Sequence, residues 1–325
     1  MSEIKKIGVF TSGGDAPGMN AAIRAVVRCA VHNNVKVAGI RRGYEGMIDG
    51  EIQDLTARSV ANIIQRGGTM LKSARSKRFR TAEGRQLAFD QLKKHNIDAL
   101  VAIGGNGTFT GANIFLQEHQ IPTIGLPGTI DNDLFGTDFT IGYDTALNTA
   151  VEAIDKIRDT AHAHDRIFFI EVMGRDAGYI ALNSGLAGGA ESILIPEIDD
   201  DFEHMIDKLE GALNRGKLFS IIVVAEGDKA GGAFKIAEKV NEQFDNIETR
   251  VTILGHIQRG GNPSCNDRVL ASRLGVAAVN ELLAGRKNEM IGLVNNQLAF
   301  TSFNDAIKGS QSINKELVDL IDILS

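Results

Sequence analysis

Short apolar runs alternate with helical patterns along this chain, and no other feature constrains the fold as strongly. The first half carries four β-type runs and three helical patterns. The runs are Ile7–Phe10, Val35–Ile40, Ala99–Ile103 and Pro122–Leu126, and the helical patterns are Met19–His32, Arg85–His95 and Gly107–His119. Alternation of this kind builds a parallel sheet with helices on both faces. We therefore expect an α/β fold of Rossmann-like, three-layer α/β/α architecture.

The same alternation restarts after residue 143. The predicted helices there are Asp144–Thr160, Phe202–Arg215 and Gly232–Phe244, and the predicted strands are Ile167–Val172, Ser192–Ile195, Ser220–Ala225 and Thr249–Leu254. Because single cores stop growing near about 250 to 300 residues, a chain of 325 residues is expected to form two similar lobes with a cleft between them. The expected larger lobe is 1–142 plus 255–305, and the smaller is 143–254 plus 306–325. The helix Asp267–Leu283 and the strand Met290–Val294 would return to the first lobe.

Charge and hydropathy exclude several classes of protein. A net charge of -6 argues against nucleic acid as a partner. No apolar run reaches the roughly 18 residues that cross a bilayer, and the segment Met1–Ile7 has no room for the apolar part of a signal peptide, so we expect a cytoplasmic protein without membrane contact. Cys29 and Cys265 show no metal-ligand spacing, and Cys29 is expected to be a buried thiol.

Glycine-rich turns follow two of the predicted strands. Thr11–Gly18 comes after the first strand, and Gly104–Thr108 opens the helix that follows the third. Small residues let backbone N–H groups approach an anion, and a helix N-terminus favours phosphate. Neither turn has the spacing of a Walker loop or of a dinucleotide fingerprint. Each alone could be a tight connection, but together they favour a polyphosphate ligand.

Two acids, Asp131 and Asp133, follow the predicted strand Pro122–Leu126 after a Pro-Gly break. The strand ends of open α/β sheets are ligand sites, where one acid can take a proton while the other holds a metal ion. The alternative is a solvated acidic turn.

Basic residues lie at or beyond several strands. They are Arg75, Arg166, Arg175, Arg250 and Arg259, with His256 three residues before the last. The guanidinium fork suits phosphate, and the pair of His256 and Arg259 suits a sugar-borne phosphate. A single strand-end arginine is more often a solvated charge, and we interpret Lys77–Arg80 in that way.

Four motifs follow one another over nearly the whole chain: Gly13–Ala21, Pro127–Asp133, Glu171–Arg175 and Leu254–Gly261. This ordered set closely resembles the bacterial ATP-dependent 6-phosphofructokinase family. The resemblance implies phosphoryl transfer from ATP to the C1 hydroxyl of fructose 6-phosphate, with Mg2+. It also implies a homotetramer that can bind ADP or phosphoenolpyruvate as an effector. The larger lobe would bind ATP and the smaller lobe the sugar phosphate.

The resemblance also assigns roles to individual residues. Asp131 would be the catalytic base, Thr129 would orient the phosphoryl group, Arg175 and Arg75 would neutralise its charge, and Asp133 would lie on the magnesium side. The sugar phosphate would contact Arg166, Met173, Gly174, Arg175, Glu226, Arg250, His256 and Arg259, with Arg166 and Arg250 reaching across from a neighbouring subunit. ATP would contact Gly13, Tyr44, Arg75, Ser76, Gly105, Asn106, Gly107 and Thr108.

Three positions refine this assignment. Pyrophosphate users of the family carry a bulky acid at the position of Gly107 and a lysine at that of Gly128, so this chain is similar to the ATP-using branch. Asn106 stands where the family usually has an aspartate that interacts with magnesium. We expect weakened metal binding at Asn106, which leaves three interpretations: an active kinase that needs more magnesium, a weakened regulatory paralogue acting as a sensor, or an engineered variant. A Rossmann-type dehydrogenase is a further alternative, supported by the fold pattern alone.

The effector site is only partly matched. The residues expected to line it are Arg24, Arg28, Arg158, Glu191, Arg215 and Lys217. Ala57 and Phe219 fall where basic residues would be expected, so we predict a weak or altered effector response. The spacing of Arg24 and Arg28 alone would indicate a solvated helix face.

Overall fold

The computed structural model describes residues 4–164, 166–199, 201–217, 219–244, 247–309 and 312–324, so the first three residues of the N-terminal segment lie outside it. The chain divides into two compact units. The first combines residues 1–145 with 259–311, and the second combines 146–258 with 312–325. No helix in the described ranges has the length and apolar character needed to cross a membrane.

The first unit is built on a seven-stranded sheet in the order β11-β10-β5-β4-β1-β2-β3. Its strands are β1 (Lys6–Thr11), β2 (Lys36–Ile40), β3 (Ile52–Leu55), β4 (Ala99–Gly104), β5 (Thr123–Pro127), β10 (Glu289–Val294) and β11 (Gln297–Ser302). The central strands run parallel and read as continuous apolar runs because helices cover both faces. The edge strands β3 and β11 are antiparallel to their neighbours, so the sheet is mixed at its edges around the expected parallel strands.

The helices of the first unit agree with the main sequence patterns. They are α1 (Met19–His32), α2 (Gly43–Asp49), α3 (Ala82–Lys94), α4 (Asn106–His119), α9 (Cys265–Leu283) and α10 (Phe303–Lys308). α3 begins three residues before the predicted start because the Thr81 hydroxyl accepts a hydrogen bond from the Gly84 backbone and caps the helix. α9 and β10 belong to this unit. Cys29 is buried, as expected.

The second unit is smaller. Its sheet has four strands in the order β7-β8-β6-β9, all parallel. The strands are β6 (Ile167–Val172), β7 (Ser192–Leu194), β8 (Ser220–Ala225) and β9 (Thr249–Ile253), and the helices are α6 (Tyr179–Ala187), α7 (Asp201–Asn214), α8 (Gly232–Gln243) and α11 (Lys315–Leu324). α5 (Tyr143–His164) begins in the first unit and continues into the second.

The two units share the α/β plan but not the strand count. The first has seven strands and the second four. The core of the second unit lies between its sheet and helices α7 and α8, around Phe169, Met205 and Ile236. In the first unit a comparable core includes Phe10, Ile40 and Phe115. These buried clusters hold the strand ends, and therefore the loops that follow them, in fixed positions.

Candidate functional site

Three loops of the first unit meet because β5, β4 and β1 are neighbours in one parallel sheet. Parallel strands end on the same edge, so the glycine-rich turns after β1 and β4 lie beside the loop after β5. Hydrogen bonds join them. The Thr108 hydroxyl donates to the Ser12 carbonyl at 3.0 Å, and the Gly128 backbone N–H donates to the Gly104 carbonyl at 3.0 Å. The sheet thus brings together the turns that the sequence analysis assigned to ATP.

Two glycines of the β4–α4 turn have different surroundings. A Cβ atom on Gly104 would lie 2.3 Å from Thr108 Oγ1 and 2.5 Å from the Ser12 carbonyl oxygen, closer than real side chains come. A Cβ atom on Gly107 would meet nothing within 4 Å. Gly104 is therefore required by packing, whereas Gly107 leaves open space at the start of α4. At Gly128 a Cβ would lie 3.0 to 3.3 Å from Ile103, Met19 and the Gly104 nitrogen, so that position is tight.

Asn106 and Asp133 form a direct contact. Asn106 Nδ2 donates a hydrogen bond of 2.7 Å to Asp133 Oδ2. The other amide atom, Asn106 Oδ1, is buried and has no hydrogen-bond partner among the described residues. Because an unpaired buried acceptor is costly, this oxygen is suited to receive a ligand that the protein itself does not supply.

Asp131 and Thr129 lie in the loop after β5. The Asp131 backbone N–H donates to the Thr129 hydroxyl at 3.2 Å, and the Thr140 hydroxyl donates to the Thr129 carbonyl at 2.6 Å. Asn132, at φ 53°, is buried and accepts from the Thr140 backbone at 2.8 Å. The loop is thus held by its own side chains and is not a loose acidic turn.

A polar cavity of about 400 Å³ lies at the glycine-rich turn after β1. Its lining includes Gly13, Gly14, Lys72, Ser73, Arg75 and Arg259. The structure therefore gathers Gly13, Arg75 and Arg259 at one place. Lys72 and Ser73 were not assigned from the sequence, although Ser73 donates to the Gly13 carbonyl. They come from a loop about sixty positions further along the chain, and no sequence pattern indicates that it folds back onto the first turn.

Two residues assigned to ATP have structural partners. Tyr44 is 5% exposed, its hydroxyl donates to the Thr108 carbonyl at 2.6 Å, and its ring stacks on Phe79 with centroids 3.9 Å apart. Burial raises the pKa of the Tyr44 phenol far above its usual range. The Ser76 hydroxyl donates a hydrogen bond to one carboxylate oxygen of Glu45, and Arg78 donates to the other. Tyr44 supports the turn that carries Thr108, while contact of Tyr44 or Ser76 with ATP stays a prediction.

In the second unit the loop after β6 carries several of the predicted sugar contacts. The Arg175 backbone N–H donates to Glu226 Oε1 at 2.7 Å, and the Met173 backbone N–H donates to Gln258 Oε1 at 3.3 Å. Gly174 has φ 144° and Arg175 has φ 58°, so the loop turns sharply and leaves the Arg175 side chain 63% exposed. Glu226 and Arg175 are thus brought together, and Gln258, which is fully buried, is a positioning residue that the sequence analysis missed.

Arg166 and Arg250 share one carboxylate. Arg166 Nε lies 2.6 Å from Glu248 Oε2, and Arg250 pairs with the other oxygen of Glu248. The two guanidinium groups lower the pKa of Glu248, with the Arg166 hydrogen bond as the largest cause. Glu248 was not singled out from the sequence because a lone acid before a strand is an ordinary surface residue. His256 is exposed on the short 3-10 turn Gly255–Arg259.

The residues expected at the effector site divide between the units. Arg24 and Arg28 are one turn apart on α1, where burial and the neighbouring Arg28 charge lower the pKa of Arg24. In the second unit Lys217 Nζ lies 2.8 Å from Glu191 Oε1, and Arg158 donates to the Gly188 carbonyl at 2.6 Å. Glu191 and Lys217 are therefore paired with each other. Arg215 lies near Gly211, and Phe219 packs against His162.

A buried pair of acids close to Glu226 was also missed. Asp201 accepts from the Ile195 backbone and Asp228 from the Ala230 backbone, each at 2.8 Å. The two residues are 9% and 7% exposed, and Asp228 Oδ2 has no hydrogen-bond partner among the described residues. Burial, with the Asp228 charge adding, raises the pKa of Asp201 to about 7. The environment of Asp201 therefore favours its protonated form.

Fold and loops together define the class. This is a Rossmann-like α/β protein whose glycine-rich turns follow the carboxyl ends of parallel strands, with cationic side chains around a polar cavity.

The chain belongs to the phosphofructokinase family, whose model matches residues 6–282. It is 58% identical over 322 residues to the ATP-dependent 6-phosphofructokinase of Cytophaga hutchinsonii, covering 99% of this chain and 98% of that one. It is 57% identical to ATP-dependent 6-phosphofructokinase 1 of Thermus thermophilus, covering 99% and 100%. Over 325 residues it is 53% identical to ATP-dependent 6-phosphofructokinase 2 of Bacteroides thetaiotaomicron, covering 100% of both.

Solved structures agree with the family. Phosphofructokinase from Saccharomyces cerevisiae matches with a TM-score of 0.87 and 36% identity over 98% of this chain, which spans about half, 47%, of the yeast chain. A pyrophosphate-dependent phosphofructokinase from Marinobacter aquaeolei matches with a TM-score of 0.83 and 25% identity, covering 96% of this chain and 86% of that one. Proteins described with different phosphoryl donors thus share this fold, so the donor must be argued from individual residues.

Proposed function

We propose that this protein is an ATP-dependent 6-phosphofructokinase that transfers the γ-phosphoryl group of ATP to the C1 hydroxyl of fructose 6-phosphate. The observation that carries the proposal is the polar cavity that gathers Gly13, Arg75 and Arg259 at the turn after β1, which a hydrogen bond joins to the turn after β4. The full-length similarity to enzymes named for this activity supports it. Nothing in these relatives favours a silent sensor or a dehydrogenase.

The proposed chemistry depends on alignment and charge. Asp131 accepts the proton of the C1 hydroxyl as that oxygen attacks the γ-phosphorus, and the bond from phosphorus to the β,γ-bridging oxygen breaks to release ADP. Thr129 orients the phosphoryl group, and Arg75 and Arg175 neutralise the charge on its equatorial oxygens. Phosphoryl transfer needs this kind of positioning more than covalent help. The abstraction can be late, so a carboxylate of ordinary basicity suffices.

The residues present fit a magnesium ion. Asn106 Oδ1 is a buried oxygen without a partner, and Asp133 supplies a carboxylate next to it. Magnesium prefers oxygen ligands and usually takes only one or two protein side chains together with substrate phosphates. Among the described residues no three acidic, histidine or cysteine side chains form a cluster that could hold a metal ion by themselves. A magnesium ion held by few protein ligands agrees with this arrangement. When bound, the ion would neutralise charge on the phosphates of ATP.

The residues assigned to the sugar phosphate lie in the second unit, except Arg259. Glu226, Met173 and Gly174 would contact the sugar, and His256, Arg259, Arg166 and Arg250 would hold its 6-phosphate. Glu248 pairs with both Arg166 and Arg250, and this fixed pairing lowers the entropy that the two side chains lose when they bind an anion. In this proposal the protein is a cytoplasmic homotetramer that binds both ATP and the sugar phosphate, and its effector site uses Arg24, Arg28, Arg158, Glu191, Arg215 and Lys217.

ATP is the proposed donor because of Gly107. The open space next to this residue leaves room for the α-phosphate of a nucleotide, and a bulky acid at the same position would fill it. We therefore expect pyrophosphate to be a poor donor.

A coupled assay with ATP and fructose 6-phosphate across a magnesium titration tests the activity. Asp131→Asn is expected to lower kcat by about 10²- to 10⁴-fold, the usual contribution of a general base, while ATP and sugar phosphate still bind. Asp90→Asn on the exposed face of α3 is the matched control and should keep the wild-type rate. Wild-type turnover by Asp131→Asn would contradict the role of Asp131, and equal rates with pyrophosphate and ATP would contradict the choice of donor.

A further inference from the structure

A second cavity of about 520 Å³ lies in the first unit, where β2 ends and β3 begins. Its lining includes Arg41, Arg42, Lys72, Glu51 and Gln53. Three cations against one acid give this lining a net charge of +2, in a chain whose net charge is -6. No role in the proposed phosphoryl transfer uses Arg41 or Arg42.

The three cations differ in their partners. Arg42 is held in a fork by Glu51, at 2.6 and 2.9 Å, and by Asp49 at 3.0 Å. Within the described part of the chain, the side chains of Arg41 and Lys72 form no ion pair or hydrogen bond. Arg42 is thus fixed in place, while two charges on the same cavity wall remain available to an anion.

The backbone holds this arrangement in an unusual conformation. Arg42 has φ 53° and Lys72 has φ 58°, and the Arg42 backbone N–H donates to the Leu71 carbonyl at 2.8 Å. The left-handed region is sparsely occupied by residues other than glycine, and such conformations persist where surrounding contacts enforce them. The two loops are therefore locked together with their basic residues against one cavity.

We propose that this cavity is a second anion site that binds a small phosphate-bearing metabolite or free inorganic phosphate. Its volume is in the range of small-molecule sites, and guanidinium and ammonium groups are the usual partners of phosphate. Gln53 adds an amide that can donate to a phosphate oxygen. The site is separate from the nucleotide cavity, but the two share one wall residue, Lys72.

The shared lysine predicts the sign of coupling. An anion bound in the second cavity would pair with Lys72 and partly neutralise its charge. Lys72 would then attract the phosphates of a nucleotide in the nucleotide cavity less strongly. Anion binding should therefore weaken nucleotide binding, and nucleotide should weaken anion binding by the same factor. This coupling rests on the proposed use of ATP, whereas the anion site itself does not.

The site is tested by calorimetric titration of inorganic phosphate into the wild-type protein, Arg41→Gln and Arg58→Gln. Arg58 is exposed and does not line the cavity, so Arg58→Gln is the matched control. We expect Arg41→Gln to weaken phosphate binding at least tenfold and Arg58→Gln to leave it unchanged. Equal phosphate binding by all three proteins would overturn the site, whatever the catalytic activity.

Two further titrations test the coupling between the cavities and identify the source of the phosphate. A non-hydrolysable ATP analogue is titrated with and without phosphate, and its affinity should fall severalfold with phosphate in the wild type but not in Arg41→Gln. No change in the wild type would overturn the coupling. Repeating the first titration with glycerol 3-phosphate distinguishes a metabolite site, where the ester binds more tightly than inorganic phosphate, from a site for the free ion, where it binds more weakly.

Discussion

Replacing Asn106 by aspartate tests the magnesium site most directly. The substitution puts a carboxylate in place of an amide whose nitrogen lies 2.7 Å from Asp133. A unit charge about 4 Å from a divalent ion, at an effective dielectric near 20, gains about 8 kcal/mol of Coulomb energy. Repulsion between the new carboxylate and Asp133 at the observed separation costs about 6 kcal/mol on the same scale.

The attraction to the ion exceeds the repulsion between the carboxylates by about 2 kcal/mol, which corresponds to a roughly thirtyfold higher affinity for magnesium. Asn106→Asp should therefore lower the magnesium concentration for half-maximal rate by about tenfold or more. Without magnesium the two carboxylates repel each other, and rotation or protonation relieves most of this cost. A remaining loss of about 1 to 2 kcal/mol would lower the Tm by roughly 2 to 8 °C, since a unit of this size shifts by about 2 to 4 °C per kcal/mol.

The measurements are a magnesium titration of the coupled assay and thermal melts with and without magnesium. Asn34→Asp adds the same charge at an exposed position and is the matched control. Saturating magnesium should close the gap in Tm between Asn106→Asp and the wild type. An unchanged magnesium requirement together with an unchanged Tm gap would refute the placement of a metal ion at Asn106 and Asp133.

Two further predictions concern stability. Gly104→Ala should cost about 2 to 4 kcal/mol because its Cβ meets the Ser12 backbone, while Gly107→Ala, with nothing nearby, should be neutral or slightly stabilising in denaturant melts; equal stabilities would contradict the packing argument. Burial and Asp228 raise the pKa of Asp201 above its unfolded value, so stability is lost as pH rises from about 4 to about 7. Asp228→Asn should recover about 1 to 3 kcal/mol of that loss at pH 8 and nothing at pH 4, and a gain independent of pH would exclude the Asp228 charge as a cause of the raised pKa of Asp201.

Sequence patterns predicted the central strands well because these strands are buried on both faces. β6 and β8 begin and end where the apolar runs do. The edge strands β3 and β11 escaped detection because they are partly exposed and contain polar residues such as Gln53 and Asp54. α6 was missed for the opposite reason. It has apolar residues around most of its circumference, which leaves no amphipathic period to recognise.

The positions of the turns that carry Gly13 and Asp131 were predictable because each motif follows the end of a strand, while their roles in the candidate site stay predictions. The site was not predictable where residues distant in sequence meet, because strand order and register decide those contacts. Lys72 reaches the nucleotide cavity only because its loop hydrogen-bonds to β1, through the Thr11 hydroxyl and the Lys72 carbonyl at 2.9 Å. Glu248 matters only because β9 lies next to β6 and places Arg250 beside Arg166.

The void beside Gly107 has an evolutionary consequence. If Gly107 selects the donor as proposed, filling this space would change which phosphoryl donor fits while leaving the hydrophobic interior untouched, so selection could alter donor preference here without a penalty in folding. Three residues earlier, Gly104 offers no such freedom. Within one turn the protein thus separates a position that evolution can vary from one that the architecture fixes.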